Sequence, residues 1–235
     1  MSLLIPPRRF DPAIPEMMDR RGIDPGLLRA DLRVLESINR LLGGHRIVRR
    51  HLPRVVQHGP VSVLDLGTGA ADVPIAVARW ARANRVKMEI TAVDVNPEIL
   101  RVARENTAPW PEIHVDEADL RSLPYRPASF DIVLCALTLH HFADADAVAI
   151  LQRIDDIARQ GYIINDLRRN QVAIRLSRLL ARTIITNPIA RFDAPASCER
   201  AFTIAELREM AGRAGMIHYT IRRHRFFRMV LVGRK

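Results

Sequence analysis

The ten residues Val63-Leu64-Asp65-Leu66-Gly67-Thr68-Gly69-Ala70-Ala71-Asp72 narrow what this chain can fold into more than any other stretch. A branched apolar run leads into an acidic residue and two glycines at alternate positions, and 70–80 then reads as a helix. This is a strand, a tight glycine turn and a helix, the unit that brings bare backbone against a small ligand. The last slot of the pattern G-x-G-x-x-G is filled by Asp72. A diphosphate docks on the amides that open such a helix, and a carboxylate there repels it. The loop therefore favours a ligand that brings positive charge.

From residue 61 onward, strand-like runs alternate with helical periodicity. Strands are expected at 61–66, 88–93, 113–115, 130–134 and 162–165, and helices near 70–83, 97–107 and 145–158. That alternation predicts an α/β fold with a doubly wound, Rossmann-like, mostly parallel sheet. Thr203-Ile204-Ala205-Glu206 has the form of a capping box and opens a helix ending near Gly212. The apolar runs 216–221 and 227–232 follow, too close together for a crossover helix, so they pair antiparallel. Upstream, Asp24-Pro25 is a cap followed by proline; Leu28, Leu32, Leu35, Ile38 and Leu42 form one helical stripe, ended by Gly43-Gly44. A second helix over about 47–56 is interrupted by Pro53. Neither helix can bury its stripe alone. Residues 1–60 are thus an arm (1–22, irregular and proline-bearing) and a helical segment packed on the core. Residues 61–235 form the main domain, with a helical insertion at about 167–201.

Composition bounds the partners. No stretch reaches the ~18 apolar residues of a membrane span, and the first ten residues lack the apolar core of a signal peptide. Cys135 and Cys198 are the only cysteines, which suits a reducing, cytoplasmic setting. The net charge of +10 divides into +5 over residues 1–60, −6 over 61–166 and +11 over 167–235. Basic flanks suit nucleic acid, an anionic surface or an acidic substrate. No dense basic run interleaves with aromatics, however, so the arginines read as solvated faces. The segment 171–185 sets Leu176, Leu179, Leu180 and Ile184 beside Arg175, Arg178 and Arg182, a basic amphipathic helix. It could roof an apolar pocket, make peripheral contact with a membrane, or pack on the domain with its arginines in water.

S-adenosylmethionine, with a sulfonium and an ammonium group, answers the charge of the glycine loop. Asp94 closes the second strand 25 positions after Gly69, where a carboxylate can accept both hydroxyls of a ribose; Asn96, before Pro97, is the better helix cap. Asp65 and Asp72 flank the loop and could hold the ligand's ammonium or tie up backbone amides. Methyl transfer from a sulfonium is an in-line displacement in which the protein chiefly aligns the partners and excludes water.

Asp65-Leu66-Gly67-Thr68-Gly69, Val93-Asp94-Val95-Asn96, Asp119-Leu120 and Phe130-Asp131-Ile132-Val133-Leu134, in that order, resemble the class I S-adenosylmethionine-dependent methyltransferases. Within them the chain looks most like the small-molecule branch around the ubiquinone and menaquinone C-methylases. The resemblance runs from about residue 61 to the C-terminus. It implies that Gly67, Thr68 and Gly69 floor the cofactor and that Val95 and Asn96 belong to its site beside Asp94. It also implies that Asp119 receives the adenine amino group while the Leu120 amide meets a ring nitrogen, with Asp116 and Glu117 competing for that register. Backbone carbonyls around Cys135 and Ala136 would meet the cofactor's amino group.

His140 and His141 follow the fourth strand, beside the transferring methyl in this family. Either is a candidate general base, and either could instead bond the backbone and shape the pocket. No metal is expected on His140, His141 and Asp144, because adjacent histidines point in different directions. Asn165 or Asp166 could orient a hydroxyl, Arg168 could hold an anion, and Asp193, Cys198 and Arg200 could touch substrate. Arg222, Arg223, His224, Arg225 and Arg228 straddle the terminal hairpin and are expected mostly in solvent. The leading expectation is O- or C-methylation of a small, lipophilic acceptor such as a phenol, quinone or polyketide. An rRNA or tRNA methyltransferase is the runner-up, though its usual Asn/Asp-Pro-Pro-aromatic and Pro-Cys motifs are missing. A third reading is a module that binds the cofactor without turnover. The sequence sets no oligomeric state.

Overall fold

The structure, a computed structural model, describes residues 5–20, 22–57 and 59–235. Five strands run parallel: β1 (Val61–Leu66), β2 (Met88–Asp94), β3 (Ile113–Glu117), β4 (Phe130–Ala136) and β5 (Ala158–Leu167). The hairpin β6 (Tyr219–His224) and β7 (Arg228–Arg234) completes one sheet in the order β3-β2-β1-β4-β5-β7-β6, with β7 antiparallel to β5. The helices are α1 (Pro25–Leu41), α2 (Gly44–Val55), α3 (Asp72–Ala83), α4 (Pro97–Thr107), α5 (Asp144–Ile157), α6 (Gln171–Thr183), α7 (Pro188–Arg200) and α8 (Ile204–Arg213). Among the described residues, no helix is long and apolar enough to cross a membrane.

Strand alternation divides the core in two. Leu64, Leu66, Val133, Ile164 and Leu231 face α5 and α8, burying Ile150, Leu151, Ile154, Leu207 and Met210. Val63, Ile90, Ile132, Leu134, Ile163 and Val230 face the other way, onto Val77, Ala78 and Ala81 of α3 and Ile47, Val48, Leu52 and Val55 of α2. This is the doubly wound arrangement expected of the alternation. The caps behave as their residue types require: Asp24 accepts from the Leu27 amide, Asn96 from the Glu98 amide, and Thr203 with Glu206 closes a reciprocal capping box.

The hairpin strands lie one to three residues later than expected, β2, β3 and β4 run one to two residues longer, and three further elements depart for reasons the packing shows. Helix α2 begins at Gly44 rather than 47, and Pro53 lies inside it without interrupting it. The proline falls in the last turn, where its missing donor breaks little of the ladder, and the buried Leu52 and Val55 on either side hold the helix to the sheet. Strand β5 starts at Ala158 rather than 162, because its first residues pair with β4 and its later ones with the whole of β7. Helix α7 is the element that hydrophobic periodicity misses: it buries residues on several sides, and Pro195 masks its length. The signal that could have found it is Asn187-Pro188, a cap followed by proline; the Asn187 side-chain Oδ1 accepts from the amides of Ile189 and Ala190.

The irregular arm expected over residues 1–22 includes residues 1–4 and Arg21, which lie outside the described residues. Its described part crosses α7 and makes one 3-10 turn at Met17–Asp19. The Asp193 carboxylate accepts from the amides of Met17 and Met18 at 2.7 and 3.0 Å. Arg8 donates to the carbonyls of Arg200 and Phe142 and to Asp144, and stacks 3.9 Å from the centre of the Phe202 ring.

Gly44 lets the α1–α2 elbow close. A Cβ there would lie 1.6 Å from Oδ1 of Asn39, which leaves no room for any side chain. Gly44→Ala is expected to cost about 1–3 kcal/mol through forced repacking, read as a lower urea midpoint at an unchanged m-value.

Candidate active site

The glycine loop joins β1 to α3, and two glycines serve it for different reasons. Gly67 has φ of 67° and passes under Thr138; a Cβ would sit 2.4 Å from the threonine methyl. Gly69 has φ of 55°, and nothing lies within 4 Å of where its Cβ would be, so open space faces it on the ligand side. Asp94 braces the loop: its Oδ2 accepts from the Gly69 amide and its Oδ1 from the Asn96 amide, each at 3.1 Å. Burial raises its pKa above the ordinary carboxylate value.

Asp72 is engaged by the protein rather than left for a ligand. It receives His45 Nε2 at 2.5 Å and Asn39 Nδ2 at 2.7 Å, which ties the α1–α2 elbow to the first turn of α3. Asp65 is different. It is buried at the end of β1, and its Oδ1 has no hydrogen-bond partner among the described residues, nor does the neighbouring Thr68 hydroxyl. Burial, against the opposing influence of the nearby Thr68 hydroxyl and with the negative charges of Asp72 and Asp94, pushes the Asp65 carboxyl up to about 8.

These groups open into a cavity of about 590 Å³. Val95 and Asn96 line it beyond Asp94, and Leu120 lines it rather than Asp119, whose side chain caps the next turn through the Arg121 amide at 2.9 Å. Ala136 and Leu137 form its wall at the end of β4, whereas the Cys135 side chain is packed in the core, where burial raises its thiol pKa. Leu176, Leu180, Ser177 and Ala173 of α6 roof it, with Ala194, Ser197 and Cys198 of α7 and Phe10, Pro12 and Pro15 of the arm.

His140 and His141 share a 3-10 turn after β4, and their rings converge rather than diverge, with centroids 4.4 Å apart. The short turn stacks both rings against Glu16 from the arm, whose carboxylate lies 3.9 Å from each Nε2. Glu16 is already engaged by the Ser197 hydroxyl at 2.9 and 3.0 Å and by Arg200 at 3.4 Å. Asp144, the third member of the set weighed from sequence, instead pairs with Arg8. His140 Nδ1 lies 2.7 Å from Asp166 Oδ1, wholly buried, with the His140 amide on the second oxygen at 3.1 Å. Burial raises the Asp166 pKa, but His140 and these hydrogen bonds outweigh it and hold it below the ordinary value.

His141 Nδ1 meets Asp19 at 2.9 Å. Burial opposes its protonation, yet Glu16, Asp19 and Asp166 outweigh burial and push it up to about 10. These neighbours favour its charged form at neutral pH, so the geometry offers His141 as a cation and His140 as the base. Two further expectations change. Asp193 anchors the arm and does not line the cavity, whereas Arg200 joins Glu16 to the Ile14 carbonyl and lines the cavity as well. Arg228, placed in solvent from its neighbours in sequence, is 1% exposed and lines the cavity with Arg168.

Residues 63–161 match the family model described as a methyltransferase domain. Over those residues the chain is similar to methyltransferase domains, and the doubly wound sheet and glycine loop agree with the class I, S-adenosylmethionine-dependent kind. A demethylmenaquinone methyltransferase of Deinococcus radiodurans is 41% identical over 88 residues, 37% of this chain and 35% of that protein. A malonyl-[acyl-carrier protein] O-methyltransferase of Xylella fastidiosa is 28% identical over 174 residues, 74% of this chain and 52% of that protein. The structure of human N-acetylserotonin methyltransferase in complex with SAM superposes with a TM-score of 0.65 at 17% identity, covering 90% of this chain and 56% of that one. The chain thus spans about a third to a half of the curated relatives it matches.

The site residues fit a cationic nucleoside: an unpartnered buried carboxyl group and an open glycine face the same space. With its carboxyl at about 8, Asp65 is mostly protonated at pH 7, and a cation favours its ionised form. Affinity for S-adenosylmethionine is therefore expected to rise between pH 6 and 8 and level off above, as calorimetry would show; Asp65→Asn should flatten that slope.

Proposed function

We propose that this chain transfers a methyl group from S-adenosylmethionine to oxygen or carbon of a small apolar acceptor, such as a phenol, hydroxyquinone or polyketide. The observation that carries the reading is the His140–Asp166 pair, set in a cavity that the glycine loop floors and α6 roofs. When bound, the cofactor supplies an electrophilic methyl group. Asp94 holds the ribose while it braces the loop, Val95 and Leu120 flank the base, and Asp65 answers the ammonium. Asp119 supports the adenine side through the turn that it caps.

At the acceptor, Asp166 fixes the His140 ring through Nδ1 and leaves Nε2 to take a phenolic or enolic proton. Asp166 is a positioning residue in this scheme. The His141 imidazolium, held by Asp19 and Glu16, stabilises the anion that results. Leu176, Leu180 and Phe10 exclude water. The exposed Val172, Leu179 and Ile184 extend the apolar surface of this region outward, which supports a lipophilic acceptor. The relatives named for menaquinone and acyl-carrier substrates support a small acceptor as well. The basic flanks that prompted a nucleic-acid reading are partly internal, since Arg8, Arg169, Arg200 and Arg228 sit in the protein rather than on a basic face.

The test is formation of S-adenosylhomocysteine on incubation with S-adenosylmethionine and a panel of phenols and hydroxyquinones. No turnover with any member, alongside turnover on RNA, would overturn the acceptor class. Asp94→Ala is expected to weaken S-adenosylhomocysteine about 10-fold or more through loss of charge-assisted hydrogen bonds. His140→Ala is expected to lower kcat about 100-fold with little change in that affinity, and Asp166→Asn to lower kcat in the same direction.

A further inference from the structure

Arg228 begins β7, opposite Leu167 of β5. Its side chain lies on the α2 face of the sheet, where Nη1 is 3.0 Å from the point a Cβ on Gly44 would occupy. The elbow before α2 therefore shuts the guanidinium away from solvent on that side. It is among the largest fully buried side chains of the protein, yet Nε, Nη1 and Nη2 all lack a hydrogen-bond partner among the described residues. A buried guanidinium with five unmet donors is costly unless an anion completes it.

The protein's own anions do not serve. The two acids whose charge reaches Arg228 are Asp72 and Asp166. Asp72 is engaged by His45 and Asn39, and Asp166 by His140 and the Leu167 amide. Burial lowers the Arg228 pKa to about 10, which still leaves the group charged at neutral pH. The side chain lines the large cavity, and so does Arg168, whose Nε is also without a partner.

We infer that Arg228 is the receptor for a carboxylate carried by a ligand of this cavity, with Arg168 adding positive charge beside it. A planar monoanion matches the guanidinium fork. A phosphate dianion would meet the carboxylates of Asp72 and Asp94 in the same crevice and is disfavoured. The α2 N-terminus, one helix of 12 residues opening at Gly44, adds its partial positive charge to the same point. The carboxylate can come from the amino-acid end of the cofactor or from the acceptor. This inference rests on the methyltransferase reading above.

The experiment compares wild type, Arg228→Met and Arg228→Lys by calorimetry with three probes: S-adenosylhomocysteine, its decarboxylated analogue, and 5′-methylthioadenosine, which has neither amino-acid group. If the cofactor supplies the carboxylate, wild type prefers S-adenosylhomocysteine over the decarboxylated analogue by about 10-fold or more. That ratio falls to near one in Arg228→Met and part-way in Arg228→Lys, while methylthioadenosine binds all three alike. If the acceptor supplies it, the ratio survives, and Arg228→Met instead loses the extra thermal protection that 4-hydroxybenzoate gives over 4-hydroxybenzamide. Arg228→Met should also melt no lower than wild type without ligand, since it removes an unpaired buried charge. Folded variants that keep both carboxylate preferences would overturn the proposal, as would an Arg228→Met that melts lower with ligand affinities unchanged. Should methylthioadenosine fail to bind wild type, the methyltransferase reading falls and takes this one with it. Nucleoside binding indifferent to any carboxylate removes the Arg228 proposal alone.

Discussion

Buried charge at the carboxyl edge of the parallel sheet is the constraint on which the rest of this structure turns. Asp65, Asp94 and Asp166 end β1, β2 or β5 or lie near those ends, Asp72 opens α3, and Glu16 and Asp19 are brought over them by the arm. Carboxylates so close together cannot all stay ionised in a poorly solvated place without partners. Each is met differently. Asp72 takes His45 and Asn39, Asp166 takes His140, and Asp94 takes two backbone amides. Asp65 takes no partner on its Oδ1 and stays largely protonated.

That distribution explains why the segments before β1 belong to the site. The elbow of α1 and α2 supplies the partners of Asp72, and the arm supplies Glu16 and Asp19 against the two histidines. The arm is itself anchored on α7, through Asp193, Ser197 and Arg200. The roof and the arm therefore act as one cover over the histidines. The opposite charges set the two histidines apart in role. His140 is oriented by the buried Asp166, with Glu16 3.9 Å away, while Glu16, Asp19 and Asp166 together favour the charged form of His141. Two adjacent residues of the same type thus acquire different chemistry from their neighbours.

On the α2 face of the sheet the imbalance has the other sign. Arg228 there, and Arg168 elsewhere on the cavity wall, are cations with unmet donors in the same cavity as a loop of carboxylates with one unmet acceptor at Asp65. A ligand that carries an ammonium and a carboxylate on one short chain would complete both sets. That complementarity joins the cofactor reading to the proposal for Arg228.

Most of the sheet and the place of the glycine loop were legible in the chain itself, because they rest on local rules. Branched apolar runs of strand length placed β1 to β4, proline after a capping residue placed the starts of α1 and α4, and two alternate glycines before Asp72 marked the ligand loop. Asp94 and Leu120 could be located because each follows a strand end at a spacing that the alternation dictates. Three things only the tertiary structure decided. Helix α7 packs on several sides and so lacks a clear stripe; Arg228 follows exposed arginines in sequence yet starts a buried strand. The division of labour between His140 and His141 depends on Glu16 and Asp19, more than 100 positions away. Backbone pattern is written in neighbouring residues, but the charge a side chain carries is set by whatever the folded chain brings beside it and by how much water it leaves there.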